Sequence, residues 1–446
     1  MSKKMADLQQ HKTSAKYLTH YAEPEVLSLA TFPEENVYQH VIVIPAFQES
    51  TQFIERFIDS VLVEQQCLII VVINQPDSDF GRQHHQDQID LAQHIANQGQ
   101  ETWQQDNLRL IELCTAKESN AKENGVKENS AEQRNTEQNS AKQTKNVNSS
   151  ILIVDRYSKP IPAEQGVGLA RKIGADLAIK LAVTGNIVST WVHSTDADAH
   201  LPDNYLSAHN SDNSALKNAA ATCCNFFHHS DTASIHQANQ RYENALRYYV
   251  AGLAYAKSPY AYFTIGSILS LDMLAYCQAR GFPKRSAGED FYLLNKLAKL
   301  GRVTYLDNVV IKLDARPSQR VPFGTGPAVQ HIMQLESQGF DYAYYHPEIF
   351  TELKTVLKAF ESLWKNKQHP QAWLAELSQI SQQALTNVGL LSFITKQSTA
   401  KQEQFEKQLI VWFDSFKTLK FIHALRDLGL ENMPLEKAIE RAAFNL

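Results

Sequence analysis

The amino-acid sequence predicts an α/β fold, with a mostly parallel central sheet flanked by helices and a mainly α-helical C-terminal region. Residues 41–44 and 68–73 are short, continuous apolar runs, which suit strands buried on both faces of a parallel sheet. From residue 51 to 62 apolar residues recur at spacings of three and four, which is typical of a helix. This strand, helix and strand form a βαβ unit with the usual right-handed connection. Beyond residue 326 the pattern is helical, with few strand signals.

The elements that follow the βαβ unit continue the alternation. Strands are predicted over residues 151–154, 187–192 and 219–227, where apolar and β-branched residues run together. Helices are predicted over residues 168–183, 241–257 and 291–300, where apolar residues return with helical spacing. We therefore expect one α/β domain over residues 39–325 and an α-helical region over residues 326–446.

Two segments depart from this pattern. Residues 1–38 are polar and irregular, which predicts a loosely attached N-terminal leader. Residues 115–150 consist mostly of Lys, Glu, Asn, Gln, Ser and Ala, with Val126 and Val147 as the large apolar residues. Such a segment buries too little apolar surface to offset the entropy lost on ordering, so we expect a disordered insertion within the domain.

Composition excludes several classes of protein. The 43 Lys and Arg against 48 Asp and Glu give a formal charge of −5, which disfavours nucleic acid as the main partner. Five cysteines are too few for a disulfide scaffold and odd in number, which favours a reducing compartment. The N-terminus lacks the apolar stretch of a secretory signal, and no apolar run approaches the roughly 20 residues that span a bilayer. We expect a cytoplasmic protein, with peripheral contact at the inner face of a membrane left open.

Two pairs of acidic residues could carry chemistry. Asp196 and Asp198 directly follow a predicted buried strand, and open α/β sheets bind ligands at that edge. A divalent cation bridging these carboxylates and a diphosphate would suit them, although a turn with a helix-capping Asp is the alternative. Glu289 and Asp290 begin a predicted helix, where acids are favoured by the helix dipole. A carboxylate held there beside a cleft could also act as a general base.

Arg171 lies near the start of its predicted helix, after Gly166 and Gly168. A guanidinium beside a helix N-terminus can bind a diphosphate, and a solvated arginine is the alternative. The glycines do not follow a strand in the way that a dinucleotide fingerprint requires.

The order of these motifs resembles that of GT-A glycosyltransferases, especially family 2. Residues 41–49 (VIVIPAFQE) resemble the opening strand and loop of that family, and residues 168–178 (GLARKIGADLA) its Arg-containing helix. The Asp196-Ala-Asp198 segment is similar to its metal-binding motif. The glycine-rich acceptor segment, the "G-G-F" element and the "E-D" element correspond to residues 263–267, 280–283 and 288–290. The resemblance covers residues 41–314 apart from the insertion.

The resemblance implies a GT-A fold and transfer of a sugar from a nucleotide-diphosphate-sugar donor to an acceptor, assisted by Mn²⁺ or Mg²⁺ and usually with inversion. The acceptor would be a sugar, another small molecule or a lipid-linked molecule. Asp198 with Asp196 would hold the metal, Asp196 would also contact the donor ribose, and Asp290 beside Glu289 would deprotonate the acceptor. The remaining donor contacts implied by position are Pro45, Ala46, Glu49 and Arg171.

The chain departs from the family in two places. The second strand ends in Asn74-Gln75-Pro76-Asp77-Ser78 in place of the usual acidic pair, so we expect Asp77 to substitute as a base or ribose contact. The "Q-x-x-R-W" element of processive synthases is missing. Arg316 and Arg320 stand in a loop there instead, where they could contact the diphosphate or an anionic acceptor, or form a structural surface loop.

Weaker candidates have structural explanations beside functional ones. Cys223, Cys224, His228 and His229 lack the spacing of a zinc site and lie on a predicted buried strand. His84, His85 and His94 are expected to be solvated, whereas His200 adjoins the acidic motif and could complete a metal shell. A tyrosine cluster could flank a sugar acceptor but more often packs in a core; its members are Tyr242, Tyr248, Tyr249, Tyr255, Tyr260 and Tyr262.

Two other functions remain open at this point. A sugar-phosphate nucleotidyltransferase also uses a divalent metal in a related fold, although it needs no base at Glu289 and Asp290. A non-catalytic nucleotide-sugar-binding protein is the other alternative. The retained Asp196, Asp198 and Asp290 argue against it.

Overall fold

A ten-stranded mixed sheet organises the α/β part of the chain in the computed structural model, which describes residues 3–79, 83–113, 148–210, 213–315 and 324–446. The spatial order of the strands is β3-β4-β5-β2-β1-β6-β9-β8-β10-β7. In chain order they are β1 (His40–Ala46), β2 (Cys67–Pro76), β3 (Gly99–Gln105), β4 (Leu108–Leu113), β5 (Ser150–Ile161), β6 (Trp191–Ser194), β7 (Ala199–His200), β8 (Ala219–His229), β9 (Leu269–Asp272) and β10 (Arg302–Asp314).

The centre of this sheet is parallel, as the apolar runs predict. Strands β5, β2, β1 and β6 run in the same direction, and Val43 of β1 lies opposite Ile70 of β2 and Ser194 of β6. Both faces of β2 are buried through to Gln75, which explains its unbroken apolar sequence. Strands on both flanks are antiparallel, with β4 paired to β5 and β9 to β6. The sheet as a whole is therefore mixed around a parallel centre.

Helices follow the strands in chain order. They are α1 (Lys3–Gln10), α2 (Lys12–His20), α3 (Gln52–Ile58), α4 (Gln83–Ala96), α5 (Gly166–Thr184), α6 (Ala233–Tyr255), α7 (Met273–Ala279), α8 (Glu289–Leu297), α9 (Thr325–Ser337), α10 (Glu348–Leu363), α11 (Pro370–Leu374), α12 (Gln379–Asn387), α13 (Leu390–Lys396), α14 (Gln402–Trp412), α15 (Ser415–Asp427) and α16 (Leu435–Arg441). A short ribbon pairs β11 (Ala343–Tyr344) with β12 (Met433–Pro434). The region after residue 326 is thus mainly helical, as predicted.

The strand order reverses direction between β1 and β6. After β1 the chain passes through α3 to β2, on one side of β1. After β5 it passes through α5 to β6, which lies on the other side of β1. Open α/β sheets bind ligands at the carboxyl ends of strands where the order reverses. The loops that follow β1 and β6 are therefore the first place to look for a site.

Helix α5 packs unusually close to the sheet because it carries a glycine at the contact. A Cβ atom added at Gly174 would lie 2.3 Å from Cγ1 of Val43 and 3.3 Å from Cγ2 of Val72. A larger residue would push the helix away from β1 and β2. The helix ends at Gly185, whose φ of 93° is a left-handed C-cap.

The chain divides into two compact units, neither of which is contiguous in sequence. Unit 1 comprises Met1–Asn225, Ile265–Leu293 and Leu306–Ile311. Unit 2 comprises Phe226–Thr264, Leu294–Tyr305 and Lys312–Leu446. These units differ from the single boundary at residues 325 and 326 predicted from the sequence, because the segment that contains α6 belongs with the C-terminal helices.

Unit 2 has its own aromatic and aliphatic core. Tyr248 of α6 and Phe350 of α10 are fully buried, with ring centroids 5.6 Å apart in an edge-to-face contact. A Cβ atom added at Gly252 would lie 2.5 to 2.7 Å from atoms of the Phe350 ring, so glycine allows α6 to meet this ring. The core continues through Phe405 and Phe421 of the later helices.

Residues near the N-terminus are ordered differently from the predicted irregular leader. They form α1, α2 and a 3₁₀ helix over Pro24–Thr31. Met5, Leu8 and Tyr17 are each at most 2% exposed, so this segment contributes to the core of unit 1. The leader prediction is wrong for these residues because short helices with a few buried apolar positions carry little sequence signal.

Two further predictions need adjustment at their boundaries. Ser150, expected as the last residue of the insertion, is instead the first residue of β5, and residues 114–147 lie outside the described ranges. The strand expected over residues 187–192 begins at Trp191, while Ile187 makes an isolated bridge with Tyr38. Within the described ranges, every helix is too short or too polar to cross a bilayer.

Candidate active site

Two loops meet at the carboxyl edge of the sheet, one after β1 and one after β6. Pro45 and Ala46 are the last residues of β1, and Glu49 is half-buried in the loop that follows. The backbone N–H of Thr195, directly after β6, donates a 3.1 Å hydrogen bond to the carbonyl of Val43. This bond continues the pairing of β1 and β6 beyond Ser194. The predicted donor-binding residues and the Asp196-Ala-Asp198 motif therefore follow adjacent parallel strands.

The acidic loop after β6 is held in a defined turn. The backbone N–H of Ala199 donates to the carbonyl of Asp196 at 3.1 Å. Nη2 of Arg56, on α3, donates to the carbonyl of Ala197 at 2.6 Å, between the two aspartates. The Thr195 hydroxyl donates to the carbonyl of Ser267 at 2.8 Å. Arg56 is a positioning residue that the sequence did not single out, because a lone arginine on a predicted helix has no spacing signal.

Arg171 joins the two acidic motifs. Its Nη2 donates to Oδ1 of Asp196 at 2.6 Å, and its Nε donates to Oε1 of Glu289 at 3.0 Å. Its Nη1 donates to the Ser194 hydroxyl at 2.9 Å. The side chain is 3% exposed, whereas that of Asp196 is 35% exposed. The guanidinium thus lies beneath the acidic loop, with each of its nitrogens donating to the protein, in place of the solvent-facing diphosphate contact predicted from the sequence.

A glycine makes room for this guanidinium. A Cβ atom added at Gly266 would lie 2.5 Å from Nη2 of Arg171 and 2.9 Å from its Cζ. Gly266 precedes β9, the antiparallel neighbour of β6, within a short 3₁₀ turn. The glycine-rich segment singled out in the sequence therefore packs against the arginine that connects the two acidic motifs.

Glu289 and Asp290 occupy the first turn of α8, after Gly288 with a φ of 72°. Glu289 is buried against Arg171, and burial raises the pKa of its carboxyl while the Arg171 charge opposes that rise. Asp290 is half-buried and accepts a hydrogen bond from the backbone N–H of Phe291 at 2.7 Å. Burial, and then the charge of Glu289, raise the pKa of Asp290 to about 7. A carboxylate that titrates near neutral pH is suited to accept and release protons there.

The start of α5 contacts the segment that leads into α8. The backbone N–H of Gly168 donates to the carbonyl of Arg285 at 2.9 Å. A Cβ atom added at Gly168 would lie 2.5 Å from the carbonyl oxygen of Pro283, and one at Gly166 would lie 2.7 Å from Cα of Ser286. The two glycines are therefore explained by close backbone packing.

Asp77 and the histidines after β2 form hydrogen bonds within the protein. Oδ1 of Asp77 accepts from the backbone N–H of Ala163 at 3.1 Å, ahead of α5. Nδ1 of His84 is 2.9 Å from Oδ2 of Asp79, and Nδ1 of His85 is 2.8 Å from Oε1 of Gln75. The histidines therefore have protein partners where the sequence predicted free solvation. The base or ribose contact expected of Asp77 stays a prediction.

The carboxylates suit a divalent cation held jointly with a substrate. Mg²⁺ and Mn²⁺ are commonly bound by one or two carboxylates together with substrate phosphates, without a full set of protein ligands. Asp196 and Asp198 supply two carboxylates separated by one residue, and one oxygen of Asp196 already accepts from Arg171. Across the described ranges, no group of three or more His, Cys, Asp and Glu side chains is placed to hold a metal without further ligands. The donor set fits a shared cation of this kind.

The remaining candidates lie elsewhere. Arg316 and Arg320 fall outside the described residues. Cys223 and Cys224 are buried on β8, which confirms the strand predicted there, and His228 pairs with Glu243 at 3.3 Å. His200 is half-buried on β7.

The tyrosine cluster belongs to unit 2. Tyr248 is fully buried in its core, and Tyr249 and Tyr255 pack against that core. Tyr260 donates its hydroxyl proton to the carbonyl of Ile410 at 2.9 Å. Core packing therefore accounts for these tyrosines.

Comparisons with known proteins give remote likenesses. No protein-family profile matches the sequence, and no curated protein matches it. A structure of S. aureus TarS residues 1–349 in complex with UDP-GlcNAc is similar over 87% of this chain and 89% of that chain, with 9% identity and a TM-score of 0.35. The mannosyltransferase PcManGT from Pyrobaculum calidifontis, in complex with GDP-Man and Mn²⁺, is similar over 96% and 97%, with 13% identity and the same TM-score. These values are too low to assign a family.

Proposed function

We propose that this protein is an inverting, metal-assisted glycosyltransferase that moves a sugar from a nucleotide-diphosphate-sugar to an acceptor hydroxyl. The observation that carries the proposal is the Arg171 guanidinium, which contacts both Asp196 and Glu289 at the edge where the strand order reverses. Three motifs far apart in sequence thereby meet at the edge where α/β sheets bind ligands. The resemblance of their order to that of family 2 enzymes supports the same reaction.

Asp290 is the general base in this proposal. The acceptor oxygen attacks the anomeric carbon, the bond from that carbon to the diphosphate oxygen breaks, and the acceptor proton passes to Asp290. A pKa raised by burial and by Glu289 suits a carboxylate for this transfer near neutral pH. Glu289, paired with Arg171, keeps the first turn of α8 in place beside the acidic loop.

The donor occupies the edge formed by the loops after β1 and β6. Pro45, Ala46 and Glu49 line the nucleotide, and Asp196 contacts its ribose. Asp198 together with Asp196 would hold Mn²⁺ or Mg²⁺, which supplies positive charge for the departing diphosphate when it is bound. Arg171 acts by orienting Asp196 and Glu289.

Product analysis tests this proposal. The protein is incubated with Mn²⁺ and each of a panel of UDP- and GDP-sugars, and release of nucleoside diphosphate is measured with and without candidate acceptors. A parallel reaction with nucleoside triphosphates and sugar phosphates measures pyrophosphate. Glycosyl transfer releases nucleoside diphosphate, whereas nucleotidyl transfer releases pyrophosphate. Donor binding without either product would favour the non-catalytic alternative.

Two variants assign the roles. Asp290→Asn should reduce transfer at least a hundredfold and leave the thermal stabilisation by donor intact, because the base does not hold the donor. Asp341→Asn, at an exposed position in unit 2, is the matched control and should behave as wild type. Wild-type transfer by Asp290→Asn would contradict the assignment of the base.

A further inference from the structure

A buried polar cluster connects the N-terminal segment to helix α5 at the residue next to Arg171. Nζ of Lys172 donates to the Tyr17 hydroxyl oxygen and to Oδ2 of Asp176, both at 2.8 Å. The Tyr17 hydroxyl donates to Oδ1 of Asp176 at 2.5 Å, and the backbone N–H of Glu23 donates to Oδ2 of Asp176 at 2.8 Å. Asp176 is fully buried, and Tyr17 and Lys172 are at most 4% exposed. Buried polar groups that satisfy one another in this way fix the relative position of the elements that carry them.

The same N-terminal residues contact the segment of residues 280–288, which connects α7 to α8. A Cβ atom added at Gly281 would lie 2.4 Å from the Tyr17 hydroxyl oxygen. Nζ of Lys284 is 3.3 Å from Oε1 of Glu23, and the Arg280 guanidinium lies 5.0 Å from the ring centroid of Tyr21. The N-terminal segment therefore contacts this connecting segment at three successive points.

The connecting segment is held from a second direction by α5. Gly168 donates its backbone N–H to the carbonyl of Arg285, and Gly166 leaves space for Ser286. The connecting segment ends at Gly288, immediately before Glu289 and Asp290. Its conformation therefore decides where the first turn of α8 begins.

We propose that residues 17–23 are a positioning element of the active site, with Tyr17 as the positioning residue that sets the place of Asp290 through the connecting segment. This inference rests on the role proposed for Asp290. Loss of the Tyr17 hydroxyl removes a buried contact to α5 and loosens the packing over Gly281. The loops after β1 and β6 are held by other residues, Arg56 and Arg171. The kcat should therefore fall while the KM for the donor stays unchanged.

Three variants of the full-length protein test the inference. Tyr17→Phe removes the hydroxyl, and Lys284→Met removes the ion pair with Glu23 at a residue whose side chain is 44% exposed, so this second variant will fold. Glu25→Gln is the matched control: the buried Glu25 also connects the N-terminal segment to the sheet, through Arg156 of β5 at 2.9 Å. We expect kcat to fall at least fivefold in Tyr17→Phe and at least twofold in Lys284→Met, with donor KM within twofold of wild type. Glu25→Gln should lower the melting temperature and leave kcat within twofold.

Hydrogen–deuterium exchange of the same variants gives a readout that does not depend on activity. Tyr17→Phe should raise exchange in residues 280–292 and leave residues 194–199 unchanged, whereas Glu25→Gln should leave both unchanged. If kcat falls in Glu25→Gln as it does in Tyr17→Phe, or if exchange in residues 280–292 is the same in Tyr17→Phe as in wild type, the inference is overturned. If wild type releases no nucleoside diphosphate from any donor, the proposed function fails. The exchange result then decides alone whether the N-terminal segment positions the start of α8.

Discussion

Replacing Arg171 with methionine should destabilise the protein in a pH-dependent manner. Methionine keeps much of the apolar stem of the side chain and removes the guanidinium, so Glu289 is left buried without its cation. Removing one partner of a buried ion pair costs about 3–5 kcal/mol. Glu289 can limit this cost by taking up a proton. That protonation costs about 1.4 kcal/mol for each pH unit above the ordinary glutamate pKa of about 4.3, or roughly 4 kcal/mol at pH 7.5.

The sign of the pH effect follows from proton binding. In Arg171→Met the folded state binds a proton at Glu289 that the unfolded state has lost above about pH 4.3. The free energy of unfolding of the variant therefore falls relative to wild type as pH rises. Between pH 5.5 and pH 7.5 the cost of the substitution should grow by up to about 2.7 kcal/mol, which is two pH units at 1.36 kcal/mol each. The void left beside Gly266 adds a part that does not depend on pH.

Urea unfolding followed by circular dichroism measures this at both pH values. Adding Glu289→Gln to Arg171→Met makes the buried pair neutral and should recover most of the pH-dependent loss. Glu289→Gln alone retains the contact between Arg171 and Asp196 and serves as the reference. The reasoning fails if Arg171→Met costs less than about 1 kcal/mol at pH 7.5, well below the range for a broken buried pair. It also fails if the cost is equal at both pH values, or if the double variant is no more stable than Arg171→Met.

Four other predictions follow. Gly266→Ala places a Cβ 2.5 Å from Nη2 of Arg171 and should reduce transfer at least tenfold, and the same change made with Arg171→Met should add little, which steady-state rates of the three variants will check. Gly174→Ala meets Val43 at 2.3 Å and should cost about 1–3 kcal/mol in urea unfolding, as overpacking does, with partial rescue by Val43→Ala; no rescue would point away from this contact. The transfer rate should rise with pH through about 7, because the base acts when Asp290 is deprotonated, and a flat profile from pH 5.5 to 8.5 would contradict that. Burial lowers the pKa of His40 and of His209 to about 4 and holds that of His193 well below its usual range, so stability present above the ordinary histidine pKa of about 6.5 should be lost as pH falls toward 4; equal urea midpoints at pH 7 and 4.5 would refute this.

The strands at the centre of the sheet were predictable because both of their faces are buried. Strands β1 and β2 consist almost wholly of apolar residues, and such runs stand out in any window of the sequence. Strand β3 lies at the edge of the sheet and is largely exposed and polar, so it carries no such signal. The buried positions of β10 alternate only from Val309 onward. Prediction from pattern thus fails where a strand has a solvated face or only one neighbour.

The candidate site was predictable in its parts and not in its connections. Asp196, Asp198, Glu289 and Asp290 stand out as acidic pairs next to predicted elements. The contact of Arg171 with Glu289 joins residues 118 apart in the chain, and the sequence gave it a different role, because burial of the guanidinium depends on packing by Gly266. The same limit applies to Arg56, whose carbonyl partner Ala197 has no side-chain chemistry to suggest it.

The interleaving of the two units has a consequence for synthesis on the ribosome. Helix α6 emerges early, yet the buried partners of Tyr248 and Gly252 include Phe350, about a hundred residues later. Until α10 and the helices after it have been made, the apolar side of α6 has no core to join, and such surfaces favour aggregation of nascent chains. Premature termination between residues 255 and 348 would release a chain with this surface uncovered. A protein so arranged gains its full resistance to proteolysis in a late step, after most of the sequence has been translated.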